Sequence, residues 1–347
     1  MRQLIFKAIL CGVLFVVLLE VFARAEDTLR WGAPFWGHYE LEGIRHSDAR
    51  GTQRCAPGRS YKHFRIDERG FRETEFAGPA RETVVWLGAS EAFGLYESPG
   101  NDVANQLERS LRARGSDVDV INAACFGMNL LRLQRVLEEP LLGMGVDALM
   151  IYPTPHFYLD LQPVRPDRPQ PAQAAGVGFV SRAVTKSRDV LKSFLPMALQ
   201  DLIRERQEQG ALQGEVWPDP PAERLRQFAA HLEALLGVAQ GSGARVAILT
   251  HANAFHAVEE IDESVLQAWR KFYPRAGGDV LIRFDAEANE VIRRLAAAND
   301  VELIDLAETV SGDPKLFADF SHFTDAGAAK AANRLAAWLA EEPSAIE

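Results

Sequence analysis

Five continuous apolar runs constrain this chain more than any other feature: Thr83 to Leu87, Val118 to Ala123, Ala148 to Tyr152, Arg245 to Thr250 and Val301 to Leu306. Runs without polar alternation suit strands covered on both faces, the setting of a parallel sheet. Helical patterns lie between them. Val103, Leu107 and Leu111 recur at four-residue spacing and stop before Gly115, and Leu130 to Leu142 is broken at Pro140. Ala222 to Gln240 and Ala286 to Ala298 are amphipathic, and Ala326 to Leu339 closes the chain's last unit. Parallel neighbours need crossover connections, so the alternation predicts an α/β fold with a doubly wound five-stranded parallel sheet, a three-layer sandwich of flavodoxin type. Ligands then bind beyond the carboxyl ends of the strands.

The N-terminus carries a different signal. Arg2 and Lys7 precede an uncharged apolar run of twelve residues, Ala8 to Leu19. A span needs roughly 20 residues, but Lys7 and Glu20 near the ends can snorkel and extend the helix from about Leu4 to Ala23. The expectation is a membrane helix in residues 1–25 that holds a single-pass inner-membrane protein with its main domain in the periplasm. Ala23-Arg24-Ala25 also resembles a signal-peptidase site, and cleavage there would release a soluble periplasmic or secreted protein. Either way, everything after residue 25 is expected to be exported.

Residues 26–80 lack clear periodicity and read as an irregular lead-in packed on the domain, which spans residues 81–345. Residues 158–220 interrupt it: QPVRPDRPQPAQ forbids regular structure, and a helix follows around Ser187 to Gln207. This insertion reads as a lid, a partner surface, a substrate wall or a plain surface excursion. A net charge of -10 without a long Lys/Arg run excludes a nucleic-acid binder. Cys11 lies inside the apolar run, while Cys55 and Cys125 either pair in an oxidising compartment or stay as buried thiols.

Ser90 ends the first strand in Gly88-Ala89-Ser90. A capping box would want Glu or Gln three residues on, yet Phe93 stands there, so the usual structural reason for a serine is weak. A serine nucleophile needs a base and an orienting acid. Asp319 and His322 sit three apart before a helix capped by Thr324 or Asp325, a spacing that lets the carboxylate accept one ring N–H and leave the other nitrogen for the serine proton. An oxyanion needs donors, and Gly127 in NAACFGMN offers a backbone N–H without a side chain in the way, or simply makes the turn before Asn129 caps the next helix. His156 in YPTPHFYL lies after the third strand, beside Thr154 at the same sheet edge, as an oxyanion donor or a structural ring. His251 and His256 with Glu259 and Glu260 match no familiar metal spacing. GSGA at 241–244 is an ordinary turn. No metal and no cofactor are expected.

Together these pieces resemble the SGNH/GDSL hydrolases over roughly residues 80–341: Gly88-Ala89-Ser90 is similar to the first block, Gly127 to the second and Asp319-Phe320-Ser321-His322 to the last. Two positions depart. Ala89 replaces the usual Asp, and Thr154-Pro155-His156-Phe157 stands where the family has Gly-x-Asn-Asp, so His156 takes the place of the asparagine donor. The resemblance implies Ser90 as nucleophile, His322 as base, Asp319 as its orienting acid, and Gly127 with His156 at the oxyanion. With the N-terminal apolar helix and the lead-in containing Gly70-Phe71-Arg72, the chain looks like exported members that work beside envelope polysaccharide machinery. The expected function is an exported serine esterase acting on short acyl groups such as the O-acetyl groups of an envelope glycan. An O-acyltransferase on a polysaccharide, or a non-catalytic envelope protein that binds a glycan or a partner, are the alternatives. An acylated glycan or small ester, the membrane and envelope proteins are the expected partners.

Overall fold

A computed structural model describes residues 2–37, 39–47, 53–76, 80–160, 164, 181–186, 216–261, 265–266, 269 and 272–341. The proline-rich stretch and the helix expected at Ser187 to Gln207 fall outside the described residues.

After helix α1 (Arg2–Trp31) the lead-in forms two short antiparallel hairpins, β1 (Arg45–Ser47) with β2 (Gln53–Cys55) and β3 (Ser60–Tyr61) with β4 (Phe64–Arg65). The five apolar runs become β5 (Glu82–Gly88), β6 (Val118–Asn122), β7 (Ala148–Tyr152), β8 (Arg245–Leu249) and β9 (Glu302–Ile304). They form one parallel sheet in the order β6-β5-β7-β8-β9. Every residue of β6 and β7 is buried, the polar Asp119 and Asn122 of β6 included, as suits strands covered on both faces. The chain leaves β5 for β6 on one side and then passes to β7 on the other. The gap above β5 and β7 is therefore the switch point where such sheets hold ligands.

Ser90–Phe93 forms the short α2, and α3 (Val103–Ala113) follows, capped by Asp102. Helix α4 (Leu130–Val136) is capped by Asn129 and runs into a widened π-type turn, Leu137–Leu141, around Pro140, where the sequence pattern breaks. Next come α5 (Ala222–Gln240), α6 (Gly278–Ala298), α7 (Leu306–Val310) and α8 (Asp325–Ala340), with Thr324 capping α8. Helix α6 begins well before Ala286 because Val280, Leu281 and Phe284 extend its buried face upstream.

The N-terminal expectation needs correction. Among the described residues, no helix is long and apolar enough to cross a membrane, which overturns the single-pass inner-membrane placement and the membrane partnership. The uncharged run is short, and from Glu20 onward α1 belongs to the protein's own packing. Glu20 accepts hydrogen bonds from Arg24 Nε (2.6 Å), Ser181 Oγ (2.7 Å) and the N–H groups of Arg182 (3.2 Å) and Ala183 (3.0 Å). Burial opposes its charge, but these donors prevail and bring its pKa down to about 2. Arg24 is buried and also donates to the Phe35 carbonyl. These charges are held by protein partners, where hydropathy alone suggested snorkelling to an interface.

The lead-in is fixed to the domain. Arg72 N–H donates to the Asn122 carbonyl at the free edge of β6 (3.0 Å), and Cys55 is disulfide-bonded to Cys125 in the loop after β6.

Candidate active site

Strand β5 ends at Gly88, where a Cβ would stand 2.5 Å from Ala92 Cβ and 2.9 Å from the Tyr152 carbonyl oxygen, so the turn into α2 requires glycine. Ala89, not Ser90, is the N-cap of α2, and no side chain caps it. The Ser90 hydroxyl is therefore free of the capping role. It donates to Glu91 Oε2 at 3.3 Å.

A helix of four residues has almost no internal bonding, so its neighbours must hold it. Trp86 Nε1 donates to Ala92 O (2.9 Å), Asn122 Nδ2 to Ala92 O (3.3 Å) and Phe93 O (3.5 Å), and the Arg72 guanidinium to Phe93 O and Gly94 O. Arg72 is buried between the rings of Phe64 and Phe93 and faces Asp102 Oδ2 at 3.2 Å. The lead-in thus supplies a main clamp on the turn that carries Ser90.

The loop between α7 and α8 carries the second half. His322 Nδ1 stands 2.9 Å from both Asp319 oxygens, and Asp319 Oδ1 also accepts the N–H groups of Ser321 (3.0 Å) and His322 (2.9 Å). Burial works against both charges. The mutual hydrogen bond outweighs it, holding the Asp319 carboxyl below its ordinary range and raising the His322 imidazole above its own. His322 Nε2, the nitrogen left over, is buried and has no hydrogen-bond partner among the described residues. Asp325, at the start of α8, accepts from Ser98 N–H (2.7 Å) and Asn101 Nδ2 (3.1 Å), which ties the histidine loop to the segment after α2.

Between the two halves lies Glu91, 1% exposed and unremarked in the sequence reading. Its Oε2 accepts from Ser90 and from Thr154 Oγ1 (3.0 Å), and its Oε1 accepts from Ser321 Oγ (3.1 Å). One carboxylate therefore joins the residue after the serine to the residue before the histidine. His156 Nε2 faces the same Oε1 at 3.3 Å, and its Nδ1 is buried with no hydrogen-bond partner among the described residues. His251 Nε2 lies 3.9 Å from Oε1, while its Nδ1 is 2.7 Å from Asp285 Oδ1. Burial disfavours a charged His251, but Asp285 and Glu91 raise its pKa to about 10. Glu91 stays ionised, with its pKa well below the ordinary value, because the two imidazoles outweigh burial.

Gly127 has φ +76°, a conformation that favours glycine, and a Cβ there would collide with the Arg45 guanidinium. It lies two residues beyond Cys125, whose N–H donates to the Gly88 carbonyl (3.3 Å), so its loop runs alongside the Ser90 turn. Ser90, Gly127, His156, Asp319 and His322 all stand at the carboxyl edge of the sheet. His256, by contrast, packs over Gly312 and its N–H donates to Glu260 (3.1 Å).

No family model matches the chain, and no curated protein matches it. Among solved structures it is similar to a lipase/acylhydrolase from Enterococcus faecalis, with 16% identity, 74% of this chain and 95% of that one covered, and a TM-score of 0.45. It is also similar to an acetylxylan esterase from Geobacillus stearothermophilus (13% identity, 76% and 96% covered, TM-score 0.44). A psychrotrophic esterase from Pseudoalteromonas sp. is a third (12% identity, 75% and 100% covered, TM-score 0.43).

Proposed function

We propose that the chain is a serine esterase of the SGNH/GDSL type that cleaves short acyl esters, O-acetyl groups on glycans among them. The observation that carries this reading is the Asp319–His322 pair: Nδ1 is fixed by a carboxylate, and a buried, unpartnered Nε2 lies on a loop joined through Ser321 and Glu91 to Ser90. In this reading the Ser90 hydroxyl turns from Glu91 to that nitrogen. His322 then accepts the proton as Ser90 Oγ attacks the ester carbonyl. The backbone N–H groups of Ser90 and Gly127 are the oxyanion donors in this reading, and His156, turned toward Glu91, is left out. His322 next protonates the departing alcohol. Water, activated by the same imidazole, releases the acyl group from Ser90. The Cys55–Cys125 disulfide supports a working place outside the reducing cytosol.

The test is hydrolysis of p-nitrophenyl acetate and release of acetate from acetylated xylan. The wild type is expected to turn over at least the simple ester, and Ser90→Ala and His322→Ala to lose nearly all of that rate. A folded wild type with no esterase activity on any short acyl ester would favour a binding role instead.

A further inference from the structure

Three buried side chains that follow three different strands converge beneath Ser90: Glu91 after β5, His156 after β7 and His251 after β8. One ligand-type atom from each lies within 4.8 Å of the others. The separations from Glu91 Oε1, 3.3 Å to His156 Nε2 and 3.9 Å to His251 Nε2, bracket the roughly 3.4 Å expected between donors of a tetrahedral zinc ion with bonds near 2.0–2.1 Å. Exposure is 9% or less for all three side chains.

His251 carries the argument furthest. It is completely buried, and its Nε2 has no hydrogen-bond partner among the described residues. That nitrogen faces the space shared with Glu91 and His156, 3.9 Å from Glu91 Oε1. On the other side of the ring, Asp285 Oδ1 stands 2.7 Å from Nδ1. Asp285 is itself held by Asn253 Nδ2 at 2.7 Å. A carboxylate behind a histidine is the usual outer support of a metal ligand.

We propose that Glu91, His156 and His251 bind a divalent cation of the zinc class, with Asp285 as the residue that positions His251. Two imidazoles and a carboxylate form a borderline donor set that suits zinc or cobalt better than magnesium or calcium. A bound ion would fix Glu91 and, through Glu91 Oε2, the Thr154 hydroxyl. The site is independent of the esterase reading, since it needs no acyl transfer.

The test uses the full chain, stripped with a chelator, incubated with zinc and desalted before metal analysis, and in parallel with cobalt followed by its visible absorption. About one zinc per chain is expected, along with the intense absorption of tetrahedral cobalt. His251→Gln and Glu91→Gln should weaken binding by more than tenfold. Asp285→Asn keeps all three ligands and should weaken it roughly 10–100-fold. A folded wild type that retains no zinc after desalting overturns the proposal, and so does equal retention by wild type and variants. If His251→Gln or Glu91→Gln fails to fold, Asp285→Asn decides: unchanged zinc affinity overturns the assignment.

Discussion

Replacing Arg72 tests whether the lead-in is part of the site or only rests against it. Arg72→Met keeps most of the side-chain volume between Phe64 and Phe93 but removes every donor. Two carbonyls at the end of α2, Phe93 and Gly94, lose the guanidinium, and Asp102, 0% exposed, loses its cation at 3.2 Å. Breaking a buried pair by removing one partner costs about 3–5 kcal/mol, because the remaining charge is left uncompensated. Asp102 keeps Asn105 Nδ2 at 2.6 Å, which places the expected loss near the lower end, about 3 kcal/mol. Urea denaturation at pH 7 measures it as a fall in midpoint with an unchanged slope. Asp102→Asn, combined with Arg72→Met, should recover about 1–2 kcal/mol relative to the sum of the single changes, since the neutral amide no longer needs the cation. Esterase activity in the folded fraction should also fall, because the turn that carries Ser90 loses its clamp. A loss under about 1 kcal/mol, or full additivity in the double variant, would refute the clamp.

Other residues give independent outcomes. Asp319→Asn should cut the acyl-transfer rate by roughly 10²–10⁴ through loss of the correct His322 tautomer. Because the His322 pKa is raised, its basic form fills only as pH climbs past the usual histidine range. The wild-type rate should rise through an inflection above about 6.5, and that inflection should move down in Asp319→Asn. Glu97 is buried beside Arg72 and Asp102, and burial pushes its pKa up to about 8. The folded state thus holds a proton that the unfolded state releases near pH 4.5, so stability is full below that value and falls, by roughly 3–5 kcal/mol, as pH rises toward 8. Glu97→Gln should flatten that decline in denaturation curves measured from pH 5 to 9. Reducing Cys55–Cys125, with a separation of 70 residues, should lower stability by about 4 kcal/mol on the chain-entropy model, seen as a lower urea midpoint in dithiothreitol.

The sheet was legible because short, mainly apolar runs between helical patterns have few other uses, and β5 to β9 fall on the five runs. Ser90 was legible for a negative reason: Phe93 ruled out a capping box, and the structure gives the cap position to Ala89. Asp319 and His322 were readable because their contact is local, within one turn. Glu91, His251 and Asp285 were not, since they come from elements far apart in the chain and no spacing rule links residues joined only by the fold. Arg72 stood in a noticed Gly70-Phe71-Arg72 stretch, yet its partners Phe93, Gly94 and Asp102 lie beyond local reach. At the N-terminus, hydropathy recorded the apolar run but not the donors from Ser181, Arg182 and Ala183 that hold Glu20 to the protein.

The central claim is that Ser90 is a nucleophile activated by His322. A fluorophosphonate probe reacts with such a serine and leaves its phosphonyl group on Oγ, where intact mass and peptide mapping locate it. One adduct per chain on Ser90 is expected, absent in Ser90→Ala and formed far more slowly in His322→Ala. A folded wild type that takes up no probe, or one labelled at a residue other than Ser90, would contradict the account.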